Sequence, residues 1–133
     1  MSQENVDHVR RSFAAFADDG VEAAVLFATP DAVIYSMPGW PDDAEYHGPD
    51  GFRKLAGQWE ENFEDFGFEV FDVRDAGAAV VALVDMTGRI KGSRASVNAQ
   101  IGAVFSDFRD GLFGCSRYFS TWQEALEAVG LSE

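Results

Sequence analysis

Asp85 interrupts the apolar run Val80-Val81-Ala82-Leu83-Val84 in the middle of a predicted strand. Burial against apolar groups destabilises the charged form of a carboxylate and brings it into the range of a general acid. Asp85 is therefore a candidate acid/base if it faces a cavity. Facing the other way it would meet solvent or pair with an Arg on a neighbouring strand, and a single bulge would reverse its direction. His47 is the second candidate: it precedes an aromatic helix, and an imidazole titrates near neutrality, where proton transfer is useful. A capping or electrostatic role for His47 is the competing reading, and His8 reads as a surface residue. Tyr35, Trp59 and Tyr118 are candidate walls of a binding site. A buried phenol usually finds a hydrogen-bond partner, so Tyr118 or Tyr35 would orient a ligand carbonyl, with plain core packing as the alternative. Trp40 sits among Pro38, Gly39 and Pro41, where it reads either as a lid or as a subunit contact.

Metal chemistry finds no support in the spacing. The two His are far apart, no paired-histidine motif is present, and Cys115 is the single cysteine. Asp42-Asp43 with Glu45 reads as a solvated acidic cluster, and Gly88 to Gly92 lacks the pattern of a phosphate loop. No cofactor is expected. Cys115 has no partner for an internal disulfide and lies in an aromatic-rich run, which reads as a buried structural thiol in a reducing cytoplasm.

Charge narrows the partners. The chain has 23 acidic and 10 basic residues and a formal net charge of −13. Phosphate backbones and anionic membrane faces would be repelled, so neither nucleic acid nor a membrane is an expected partner. The acidity otherwise serves solubility. Met1-Ser2-Gln3-Glu4 lacks the basic start of a signal peptide, and no stretch approaches the roughly 18 apolar residues that span a bilayer. The expected location is cytoplasmic. A length of 133 residues fits one domain, 1–133, and twelve Phe supply apolar bulk for a core, a cavity or an interface.

These residues need elements to hold them. Val6, Val9, Phe13 and Phe16 recur at helical spacing, with Ser2 as N-cap and Asp18-Asp19-Gly20 as the stop. A short second helix is predicted from Val21 to about Ala28, ended by Thr29-Pro30, and then a brief strand from Ala32 to Tyr35. Pro49 and Asp50 open a third helix, in which Phe52, Leu55, Trp59, Phe63 and Phe66 make one aromatic face. Beyond Gly67, strands are predicted over Phe68–Arg74, Ala78–Thr87, Ala95–Phe108 and Leu112–Ser120, joined by short turns into an antiparallel meander. Thr121 and Glu124 form a capping box for a last helix carrying Leu126 and Val129, with Gly130 as its stop. Helices followed by an antiparallel sheet make an α+β layering, and a curved sheet wrapped on one side leaves a conical hollow.

The order of these elements, together with several local motifs, resembles the NTF2-like superfamily and particularly its SnoaL-like bacterial branch. The motifs are Asn5-Val6 with Arg10-Arg11 and Phe16, Asp31-Ala32-Val33, Tyr46-His47-Gly48-Pro49-Asp50-Gly51, Phe108-Arg109-Asp110-Gly111, and Glu124-Ala125-Leu126-Glu127-Ala128. The resemblance implies an α+β cone, a curved antiparallel sheet wrapped by three N-terminal helices with a short C-terminal helix, usually a homodimer with a ligand cavity inside. Strand alternation puts Tyr118 on the same side as Ser116 and Gly114, opposite Arg117 and Phe119, and the resemblance turns that side toward the cavity. Phe63 and Phe105 join the expected lining.

The superfamily's chemistries transfer poorly. At the positions matching the ketosteroid isomerase base and oxyanion donors stand Ser36, Ser12 and Ala103. No Asp or Glu lies between Ala95 and Phe105 or between Leu112 and Ser120, where the epoxide hydrolases of this fold keep theirs. Tyr118-Phe119-Ser120-Thr121 lacks the carboxylate of the SnoaL-type cyclases. The expectation is a small-molecule-binding protein with an apolar, aromatic-lined pocket. Any catalysis would be isomerisation, cyclisation or hydration of a hydrophobic carbonyl or polycyclic compound, with Asp85 as acid/base and Tyr118 or Tyr35 polarising the oxygen. The alternative is a non-catalytic dimerisation or partner-binding module whose cone is filled by its own side chains.

Overall fold

The computed structural model describes residues 2–36 and 45–131. Helix α1 spans Ser2–Asp19 and buries the Val6, Val9 and Phe13 stripe that its spacing predicts, with Phe16 half-buried beside it. Helix α2 is a single turn, Val21–Ala24, followed by a tighter turn over Val25–Phe27. Strand β1 begins at Ala28, so Thr29-Pro30 belongs to a strand instead of ending a helix. The β1–β6 pairing is irregular between Ala28 and Val33, and that break in the ladder is where a residue without an N–H can sit. Strand β1 ends at Tyr35, β2 is Glu45–His47, and α3 is Gly48–Asn62.

The aromatic helix is shorter than its periodicity predicts. Phe63 has extended backbone angles and opens β3, Phe63–Asp75. The pairing of β3 with β4 shifts between Glu64 and Gly67, where Asp65 takes a positive φ of 53°. This irregularity turns Phe66 back against Trp59, their rings stacked at 4.8 Å. A bulged strand has thus reproduced the inward spacing of a helical face.

Strands β4 (Val80–Ile90), β5 (Ser96–Ser106) and β6 (Phe113–Phe119) complete the meander with β3, and α4 is Trp122–Ala128. The meander is antiparallel as predicted, but it is part of a larger mixed sheet with strand order β2-β1-β6-β5-β4-β3, in which β1 runs parallel to β6. The whole is an α+β cone: helices α1 to α3 cover the inner face of the curved sheet, and α4 packs on the outer one.

Strand β4 shows why its sequence is a continuous apolar run. Val80, Ala82, Val84 and Met86 join the large inner core, while Val81 and Leu83 join a second cluster with Ala125 and Leu126 of α4. Both faces are covered, so neither calls for polar alternation. Thr121 caps α4 by accepting from the Glu124 N–H at 3.1 Å, and Gly130 closes the helix end with a φ of 78°. Trp122 Nε1 donates to the Val84 carbonyl at 3.1 Å. Ala125 approaches the β5 backbone so closely that a methyl group on Gly102 would overlap it.

Gly102→Ala is therefore expected to lower stability by about 1–3 kcal/mol through overpacking, read as a fall in the thermal midpoint. Adding Ala125→Gly should recover part of the loss. A single variant that melts with the parent would mean that α4 yields freely.

Candidate functional site

A hollow lies between α1, α2 and α3 on one side and the inner sheet face on the other. Ser12, Phe13 and Phe16 come from α1, Val21 and Ala24 from α2, and Phe52, Leu55, Ala56 and Trp59 from α3. The sheet contributes Phe68, Phe105, Phe113 and Tyr118. The rings touch in series: Trp59 lies 5.2 Å from Phe68, Phe68 5.7 Å from Phe13, Phe13 5.9 Å from Phe105, and Phe105 4.8 Å from Phe113, most of them edge to face. The hollow measures about 50 Å³, against roughly 300–1,000 Å³ for pockets that take drug-sized ligands. The aromatic belt fills much of the cone that it lines.

Two hydroxyls face this lining. Ser12 donates its proton to the Val9 carbonyl at 2.7 Å, which leaves its oxygen able only to accept. Tyr118 is buried and makes no hydrogen bond to any described residue. Removal from water alone pushes its phenol above the ordinary value. The group stays protonated, able to donate to an acceptor or to accept from a donor. Two residues before it on β6, Ser116 Oγ is also buried and unpartnered, on the same face but behind the lining. Buried polar groups in folded proteins are nearly always paired, so the unpartnered Ser116 hydroxyl, on the same strand face as the Tyr118 phenol, marks this side of the sheet as unusual.

The other expected site residues lie elsewhere. Asp85 falls in an uninterrupted register between β4 and β5, and so shares the outer face with Val81 and Leu83. It stands opposite Glu69 and Gln100, half-buried, and does not look into the hollow. His47 is exposed on β2, its Nε2 3.7 Å from Glu45 Oε1, because the buried neighbour Tyr46 takes the inner position. Tyr35 is likewise on the outer face. Ile34 points into the core, and the Arg117 guanidinium covers the Tyr35 ring at 4.1 Å. Phe63 packs against Phe66 at 5.7 Å but does not reach the lining. Trp40 lies outside the described residues. Of the expected set, Trp59, Phe105 and Tyr118 meet around one space, with Ser116 adjacent to it.

Ser12 was passed over as a wall residue, although it sits between Val9 and Phe13 on the stripe that faces the core. Phe16, Phe68 and Phe113 were legible as apolar but not as lining. No described helix is long and apolar enough to cross a membrane, and no group of described His, Cys, Asp or Glu is placed to hold a metal ion.

The fold is that of the NTF2-like proteins. A structure of such a protein from Burkholderia thailandensis superposes with a TM-score of 0.78 at 19% identity, covering 86% of this chain and 88% of the other. TerC, crystallised with polyporic acid, gives 0.78 at 14% identity over 95% and 98%. A protein with a ketosteroid isomerase-like fold from Catenulispora acidiphila, in complex with trimethylamine, gives 0.73 at 15% over 93% and 92%. No curated protein matches the sequence. The sequence pattern of the SnoaL-like domain matches residues 9–113, and the chain belongs to that family.

The Tyr118 phenol gives a direct check. Below about pH 10 the folded and unfolded chains both hold its proton; above that the unfolded chain releases it first, binds fewer protons, and is favoured. Stability should therefore fall as pH rises past about 10, and Tyr118→Phe should flatten that fall. At neutral pH the same variant should melt with the parent or up to about 1 kcal/mol above it, since it removes an unpaired buried hydroxyl. A loss of about 1 kcal/mol would show instead that the hydroxyl is paired.

Proposed function

We propose that the protein binds a small, largely apolar organic molecule in this pocket, with the Tyr118 hydroxyl as its hydrogen-bonding partner. The observation that carries the reading is the Tyr118 phenol, a buried side chain in the lining of an apolar hollow with desolvation alone acting on it: such a group is stabilised by a ligand that supplies a hydrogen-bonding partner. The ligands held by TerC and by the Catenulispora protein are consistent with a binding role for this fold. The volume favours a compound of a few heavy atoms over a polycyclic one, which would have to displace the aromatic belt.

The lining favours binding over proton-transfer catalysis. Among the described residues it contains neither a carboxylate nor an imidazole. A phenol kept protonated can polarise a carbonyl but cannot abstract a proton at neutral pH. Asp85 and His47, the sequence's candidates for that work, are on the far side of the sheet. The same small volume supports a second reading, in which the cone is a packed core and the domain acts through its surface.

A thermal-shift series graded by ligand size separates the two. At about a hundred times its dissociation constant a ligand adds roughly 2.7 kcal/mol, a rise of several degrees in the midpoint. Small compounds should produce it and steroid-sized compounds should not. Tyr118→Phe should weaken the best polar binder by roughly five- to tenfold, the worth of one hydrogen bond. No shift at any size would favour the packed-core reading.

A further inference from the structure

We infer that the pocket selects a small alkylated ammonium cation over a neutral molecule of the same shape. The inference rests on the reading of the hollow as a binding site and adds the charge of what enters it.

Most of the residues lining the hollow are aromatic. An aromatic ring presents a negative face, and several rings converging on one small space attract a cation without any carboxylate. Trp59, the strongest such ring, lies within ring contact of Phe16 at 6.1 Å, Phe66 at 4.8 Å, Phe68 at 5.2 Å and Tyr118 at 6.3 Å. Two hydroxyl-bearing residues, Ser12 from the helix side and Tyr118 from the sheet side, add oxygen lone pairs. Ser12 has already committed its proton to Val9, so toward a ligand it acts as an acceptor only. Tyr118 has no described partner and can turn its oxygen to an N–H or to a polarised methyl group.

The chain as a whole carries the matching sign, although the charges close to the hollow are mixed. Among the described residues, no Lys, Arg or His lines the hollow. Along the chain beside its lining residues stand acids (Asp18, Asp19, Glu22, Asp50) and cations (Arg11, Arg53, Lys54, Arg117) alike. Of these cations, Arg53 is bound to Glu22 at 2.7 Å and to Asp50 at 2.9 Å. With a formal net charge of −13 over the whole chain, the field at the protein surface concentrates cations and repels anions.

Size and desolvation select the kind of cation. Sodium, magnesium and calcium need oxygen ligands in number, and the described lining residues offer two hydroxyls and no carboxylate. A primary ammonium is strongly hydrated and would lose its water for too few acceptors. A nitrogen covered by methyl groups spreads its charge over an apolar surface, and aromatic surroundings suit it. At about 50 Å³ the hollow favours the smallest such head group over a polycyclic compound.

The test pairs a cation with its neutral isostere. Titration calorimetry with tetramethylammonium, choline and 3,3-dimethylbutan-1-ol, whose neutral tert-butyl group copies the trimethylammonium of choline, isolates the charge. Choline and tetramethylammonium should bind about tenfold tighter than the alcohol, a difference within the range of desolvated cation–aromatic contacts. Raising the salt should weaken only the cations. Trp59→Phe, which keeps an apolar ring while weakening the negative face, should lower choline affinity several-fold more than it lowers that of the alcohol. Equal or tighter binding of the alcohol would overturn the charge selectivity while supporting the pocket. Failure of all three to bind would overturn the inference and the binding reading together.

Discussion

On one face of β4, Val80, Ala82, Val84 and Met86 pack into the aromatic belt between sheet and helices; on the other, Val81 and Leu83 lie under α4. The arrangement of the molecule follows from this double burial. The inner contact holds α1 and α3 over the sheet and so defines the hollow. The outer contact ties the C-terminal helix to the strands, with Gly102 letting Ala125 close against the backbone. Residues that are side by side in sequence are sent to different environments, and the direction of each strand residue decides whether it belongs to the pocket or to the outside.

That dependence explains how much of the molecule was readable in advance. The stripe of α1, the capping box at Thr121 and the stop at Gly130 are local patterns, and each stands where its spacing puts it. Phe63 and Phe66 are not readable in that way, because a strand irregularity at Asp65 imitates helical spacing. Asp85 needed strand parity, which depends on register across the sheet. Tyr118 was placed on the inner side by alternation along β6 together with the family likeness, and the same alternation along β1 sends Tyr35 outward. Ser12 was obscured for another reason: a serine on an apolar stripe reads as tolerated polarity until the residue is seen lining a space.

The site also inverts the usual division between core and pocket. Aromatic side chains that give the domain its inner core are the same ones that line the hollow, so stability and recognition draw on one set of contacts. Packing at this density transmits changes of volume, and substitutions that enlarge the hollow also remove dispersion contacts from the core. Ser116 lies at the seam between the two, buried beside the lining with its hydroxyl unpaired.

The parallel pairing of β1 with β6 has a consequence for how the chain comes off the ribosome. Ala28 pairs with Phe113 and Tyr35 with Arg117, so the N-terminal part of the sheet has only the short β2 beside it until nearly all of the chain has been made. Contacts this distant in sequence form late and slowly. During synthesis α1 and α3 exist before most of the sheet that covers their apolar stripes, and the nascent chain must keep them from other chains in the meantime. The high density of acidic residues through the first part of the chain, from Glu4 to Asp75, gives the segments that emerge with these helices a like charge to hold neighbouring chains apart.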